Sequence, residues 1–93
     1  MARWVTHRTD TTQEPLVAFL ERQGCVYQHA GEPIDGWLWV PTRTGHEVVP
    51  VEFKTGKKKL RKSQERFREK WPGPFYQLST EIECRVMLSE LQR

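Results

Sequence analysis

The run Val51-Glu52-Phe53-Lys54-Thr55-Gly56 sets a carboxylate and an amine two positions apart inside a short apolar stretch. Side chains alternate along a strand, so Glu52 and Lys54 would share one face. A carboxylate can hold a divalent cation while a neighbouring ammonium group orients a water, which is the equipment for hydrolysing a phosphodiester. A second acid stands upstream at Asp35, followed by Gly36. If the strands containing these acids form an antiparallel hairpin about Arg43-Thr44, Asp35 and Glu52 are equidistant from the turn. They then face each other with Cβ atoms about 5 Å apart. Two anions so placed repel, and a bound Mg²⁺, which takes one or two carboxylates together with waters and phosphate oxygens, removes the penalty. The Phe53 carbonyl offers another oxygen ligand, and Lys54 could hold or deprotonate the attacking water. A slip of one residue would turn every one of these side chains to the opposite face. Taken singly, Glu-x-Lys is a common surface ion pair and Asp-Gly a common turn.

The formal charge of +3 hides an asymmetry. Between Lys54 and Lys70 nine Lys or Arg stand against two Glu, a net of +7, which leaves −4 for the rest of the chain. Such a run is often only a solvated face. Here it begins directly after the Glu-x-Lys strand, so a polyanion bound to Lys57, Lys58, Lys59, Arg61, Lys62 and Arg66 would lie beside the acidic pair.

These residues need elements to position them. Residues 1–10 read as a flexible polar arm and 11–93 as one domain. A helix is expected from Asp10 or Thr12 to Gln23, with Leu16, Val17, Phe19 and Leu20 on its apolar side and Gly24 as its stop. Strands are expected over Cys25–His29, Ile34–Val40 and Val48–Lys54, with Pro41–Gly45 as the turn and Pro50 signalling an interrupted ladder. Leu60, Gln64, Phe67 and Trp71 then fall on one face of a charged helix, which Pro72-Gly73-Pro74 ends. Phe75–Leu78 is a fourth strand. Thr80 and Glu83 form a capping box for a last helix with Ile82, Val86, Met87 and Leu91 inward. The order is αβββαβα: an α/β fold with a small mixed sheet flanked by helices. The helix joining strands three and four makes them parallel neighbours, through a right-handed crossover.

A chain of 93 residues supports one small core, which buries about two-thirds of the unfolded surface. No stretch approaches the roughly 18 apolar residues of a membrane span, and the N-terminus lacks a signal-peptide core, so an intracellular, cytoplasmic protein is expected. Cys25 and Cys84 have no ligand spacing and read as free thiols. His7, His29 and His46 receive no role. Trp37 and Trp39 share the Asp35 face, where they would pack beneath the first helix, form a dimer interface or stack on unpaired bases, packing being the plainest of the three.

Asp35, a gap of sixteen residues, Glu52-Phe53-Lys54 and a basic helix carrying Gln64 together resemble the PD-(D/E)XK nuclease superfamily. The Lys-rich loop, Leu60, Ser63-Gln64 and Phe67 resemble its VRR-NUC branch in particular, which is also similar to archaeal-type Holliday junction resolvases. The similarity spans about residues 12–90. It implies a restriction-endonuclease-like core in which Asp35 and Glu52 bind Mg²⁺ or Mn²⁺, Lys54 assists the nucleophile and Gln64 helps position the substrate or the active-site network. Members often add a glutamate from the first helix, for which Glu14 fits better than Glu21. They also often place Pro before the aspartate, where this chain has Ile34 preceded by Pro33. The implied activity is endonucleolytic cleavage of DNA, structure-selective for Holliday junctions or other branches, by a homodimer serving DNA repair or recombination in a bacterial or phage setting. Two other readings keep the fold without the chemistry: a nucleic-acid-binding module, or a subunit whose basic face binds an acidic protein.

Overall fold

Leu16, Phe19 and Leu20 recur at helical spacing and bury one side of α1 (Gln13–Arg22) in the core. The structure is a computed structural model and describes residues 13–54 and 59–93; the arm expected over residues 1–10 and Lys57 and Lys58 lie outside that range. The helix ends as the sequence predicts. Gly24 takes φ +92°, its N–H bonds to the Glu21 carbonyl, and Cys25 N–H bonds to the Leu20 carbonyl, each at 3.0 Å. That is a Schellman closure, which needs a left-handed residue and therefore favours glycine.

The remaining elements are β1 (Val26–His29), β2 (Gly36–Thr42), β3 (Gly45–Phe53), α2 (Lys62–Lys70), β4 (Tyr76–Leu78) and α3 (Glu81–Leu91), the expected αβββαβα order. They form one mixed sheet in the order β1-β2-β3-β4, antiparallel as far as β3 and parallel between β3 and β4. The hairpin turns at Arg43-Thr44, with Thr42 opposite Gly45. The expected turn was longer, beginning at Pro41, but Pro41 pairs with His46. Bonded and non-bonded pairs alternate along an antiparallel ladder. Pro41 and Pro50 both lie an odd number of residues from the turn-closing pair, so neither is asked for an N–H by the other strand of the hairpin. Pro50 is accordingly tolerated inside a buried strand. At its other end β2 starts at Gly36 rather than Ile34, because the preceding loop closes through Ala30 N–H to the Asp35 carbonyl at 2.8 Å.

Burial alternates along β2: Gly36, Leu38 and Val40 are buried, with less buried residues between them. Leu38 and Val40 join Val49, Val51, Phe53 and Leu78 in one cluster with the apolar residues of α1 and α3. Trp37, by contrast, meets Phe67 and Trp71, so α2 lies on the opposite face of the sheet. Trp37 therefore does not pack beneath the first helix. The free thiols Cys25 and Cys84 are buried, and burial pushes each up to about 11, leaving them protonated and inert at neutral pH. Among the described residues no helix is long and apolar enough to cross a membrane.

Thr80 caps α3 as expected: its Oγ1 accepts the Glu83 N–H at 3.2 Å, and Glu83 Oε1 accepts the Thr80 N–H at 3.2 Å. The expected inward face holds only in part: Met87 is buried and Leu91 packs against the core, but Ile82 and Val86 point outward. Cys84, Met87 and Leu88 are buried, whereas Ile82 is 73% and Val86 52% exposed. The helix carries two apolar stripes about half a turn apart, and periodicity alone does not choose between them. Met87→Ala should cost about 2–5 kcal/mol in urea unfolding and Val86→Ala no more than about 0.5 kcal/mol. The reverse ranking would show that the face is misassigned.

Candidate active site

The β2–β3 register pairs Gly36 with Val51, and one further step brings Asp35 opposite Glu52, as the turn position predicts. The two acids are held reciprocally. Asp35 N–H donates to Glu52 Oε1 at 2.9 Å, and Phe53 N–H donates to Asp35 Oδ2 at 2.7 Å. Each carboxylate is thus fixed by the backbone of the opposite strand, with charge-assisted bonds that set its direction. Lys54 follows the strand, its N–H bonded to the Leu78 carbonyl at 3.0 Å. Its Nζ stands 3.3 Å from Glu52 Oε2, and both side chains are largely sheltered, 13% and 3% exposed. The structure therefore unites Asp35, Glu52, Lys54 and the Phe53 backbone in one constellation.

Glu52 is buried beside a second anion, and its pKa is pushed above the ordinary 4.5 by burial and then by Asp35. Lys54 and the Asp35 N–H pull it back only in part. Two carboxylates of like charge side by side are hard oxygen donors and a chemical fit for Mg²⁺ or Mn²⁺. The sign of the pH effect follows. A raised folded pKa gives a stability contribution that is full below 4.5 and is lost as pH rises through the elevated value. A divalent cation held by the ionised pair would offset that loss. Added Mg²⁺ should therefore raise the Tm more at about pH 8 than at about pH 5. Equal shifts in scanning fluorimetry at both pH values would remove Glu52 from the metal site.

Gln64 is fully buried on α2. Its Oε1 accepts the Arg61 N–H at 2.9 Å at the start of the helix, which fixes the orientation of the amide. Its Nε2 is buried without a partner among the described residues. An orphaned buried donor costs about 1–3 kcal/mol, so this amide has a donor to offer an incoming oxygen. It makes no hydrogen bond to the acidic pair. Glu14 is exposed on α1 and lines a shallow groove with Gln13 and Tyr27. Among the described residues no group of three His, Cys, Asp or Glu converges as a metal cage. Lys59, Arg61, Lys62 and Arg66 are exposed, and Arg61 pairs with Glu32 at 3.3 Å across the surface.

Two features escaped the sequence reading. Tyr27 packs edge-on against Phe53, and its hydroxyl accepts a long 3.4 Å bond from Gln13 Nε2. Burial raises its pKa first, then the charges of Asp35 and Glu52, which places it near the pair. The second is the aromatic group Trp37, Phe67, Trp71 and Phe75 on the α2 side. Its sequence signals were the shared spacing of Phe67 and Trp71 on one helix face and the place of Trp37 on the Asp35 face; what the sequence did not show is that these rings meet. In comparisons with known proteins the chain matches no family model, no curated protein and no solved structure.

Proposed function

We propose that the chain is a metal-dependent DNA endonuclease of the PD-(D/E)XK kind, resembling the VRR-NUC branch in its motifs. The observation that carries this reading is the reciprocal clamp of Asp35 and Glu52 with Lys54 3.3 Å from Glu52. A surface ion pair has no need of a buried glutamate and a half-buried aspartate oriented by each other's backbone. Asp35 and Glu52, with the Phe53 carbonyl beside them, would hold Mg²⁺ or Mn²⁺, which when bound polarises the scissile phosphate and neutralises charge built up in the transition state. Lys54 orients the attacking water and offers a hydrogen bond to the phosphate. Gln64 presents its unpartnered Nε2 to an oxygen of the substrate or its water. The exposed basic residues hold the DNA backbone without reading sequence, which makes the enzyme selective for structure.

Cutting both strands of a branch requires two sites, and we place the protein in the cell as a symmetric dimer. The open edge of β4 and the exposed Ile82 and Val86 beside it give a second copy a surface to join. Linear, single-stranded, flap and four-way-junction DNA incubated with Mg²⁺, Mn²⁺ or EDTA test the reading. Cleavage of branched DNA with metal and none in EDTA is expected. Binding without cleavage in every metal would leave a nucleic-acid-binding module of the same fold, and a monomer on junction DNA by light scattering would remove the dimer.

A further inference from the structure

We propose that the aromatic group on the α2 face is a stacking platform for unpaired bases, so that the enzyme engages DNA with a single-stranded segment next to the scissile phosphate. This names the substrate class of the nuclease site and rests on that reading.

Trp37 lies on the Asp35 face of β2, two residues along, a displacement of about 7 Å. Phe67 and Trp71 stack on each other with centroids 5.8 Å apart and planes 12° apart, and both meet Trp37 edge-on, at 6.2 and 5.3 Å. Phe75 adjoins Phe67 at 5.9 Å. All four rings are only partly buried, and none belongs to the core cluster that joins α1, α3 and the sheet. A helix held for packing alone would bury its apolar side, yet the buried residue of α2 is the polar Gln64. The Trp71 indole N–H donates to the Pro74 carbonyl at 2.8 Å, so the ring is fixed in orientation and its polar edge is already satisfied. What it retains for a partner is apolar surface.

The charge on the same helix selects that partner. Arg66 precedes Phe67, Lys70 precedes Trp71, and both cations are exposed. Rings interleaved with cations suit a ligand that alternates flat bases with phosphates. In a duplex the base faces are stacked on one another and cannot reach the rings. A strand whose backbone crosses Asp35 and Glu52 would meet Trp37 within a nucleotide or two only if its bases were unpaired there.

The test is binding in EDTA, which separates it from cleavage. A labelled oligothymidylate of about 12 nucleotides, a blunt duplex of the same length and an abasic oligomer of equal charge are titrated against the protein. Tryptophan emission should fall with oligothymidylate and stay nearly unchanged with the other two. Trp71→Ala should weaken oligothymidylate binding about 5- to 100-fold and duplex binding less than about twofold, while Trp71→Phe keeps most of the affinity. Equal losses for both DNAs, or emission equally affected by the abasic oligomer, would overturn the proposal. If Trp71→Ala fails to fold, the parent protein's emission with the abasic control decides. Selective stacking without cleavage in any metal would fell the nuclease reading alone; cleavage without selective stacking would fell only this inference.

Discussion

Lys54→Met should lower metal-dependent cleavage by about 10²- to 10⁴-fold while leaving DNA binding in EDTA within about twofold. Methionine approximates the lysine stem, so the packing of this largely sheltered side chain is kept and only the charge at Nζ is lost. That charge serves twice. In the proposed reaction it would orient the water, and it is the positive group that holds down the raised pKa of Glu52. Removing it should therefore move the acid limb of the pH–rate profile to higher pH as well as reduce the rate. It should destabilise the metal-free protein more at high pH, where an ionised Glu52 needs the cation, than at low pH, where a proton on Glu52 removes that need. Lys54→Arg keeps a cation with different reach and should recover part of the lost rate but not all. Asp35→Asn should abolish cleavage by a separate route: the amide oxygen can still accept the Phe53 N–H, but the charge that attracts a cation is gone. Full activity in either Lys54→Met or Asp35→Asn would mean that the chemistry lies elsewhere.

How the site was legible in the chain can be traced to its geometry. A two-residue turn at Arg43-Thr44 sets the register of the whole hairpin, so the meeting of Asp35 and Glu52 seventeen residues apart follows from counting alone. The Lys54 face follows from alternation, and the caps at Gly24 and Thr80 from local hydrogen bonding. What could not be counted was which way two-sided elements turn. The last helix has an apolar stripe through Ile82 and Val86 and another through Cys84, Met87 and Leu88; only the sheet beneath it chooses. Trp37 shares a strand with Leu38 and Val40 yet faces away from them, so its partner depended on which face α2 covers. The crossover between β3 and β4 requires a helix but its sequence does not say against which side chains that helix rests. Strand ends shifted for a related reason: Pro41 looks like a breaker until its position in the ladder shows that no bond is required of it.

Gly36→Ala should be the most damaging small substitution near the site, although the sequence presents Asp35-Gly36 as an ordinary turn. A Cβ at Gly36 would lie 2.4 Å from the Gln28 carbonyl oxygen and 2.6 Å from Tyr27 Cε1. The Tyr27 ring could swing aside, but the carbonyl belongs to β1, whose His29 pairs with Gly36, so the strand itself must move. Overpacking against backbone costs about 1–3 kcal/mol, which in a domain this size lowers the Tm by on the order of 10 °C. The displacement falls one residue from Asp35, whose N–H bond to Glu52 holds the acidic pair in register. Mg²⁺ affinity and cleavage should therefore fall further than the loss of stability explains, even at temperatures where the variant is folded. Gly24→Ala is the control: its cost comes from a φ of +92° with only ordinary contact, at 3.4 Å to Pro41 Cγ. It should lower the Tm while leaving metal affinity intact, since the α1 terminus is remote from the pair in the hydrogen-bond network. Adding Tyr27→Ala to Gly36→Ala separates the two clashes. If the ring is the obstacle, the double variant regains metal binding; if the β1 carbonyl is, it does not, and the 2.4 Å contact with backbone makes the second result the expected one.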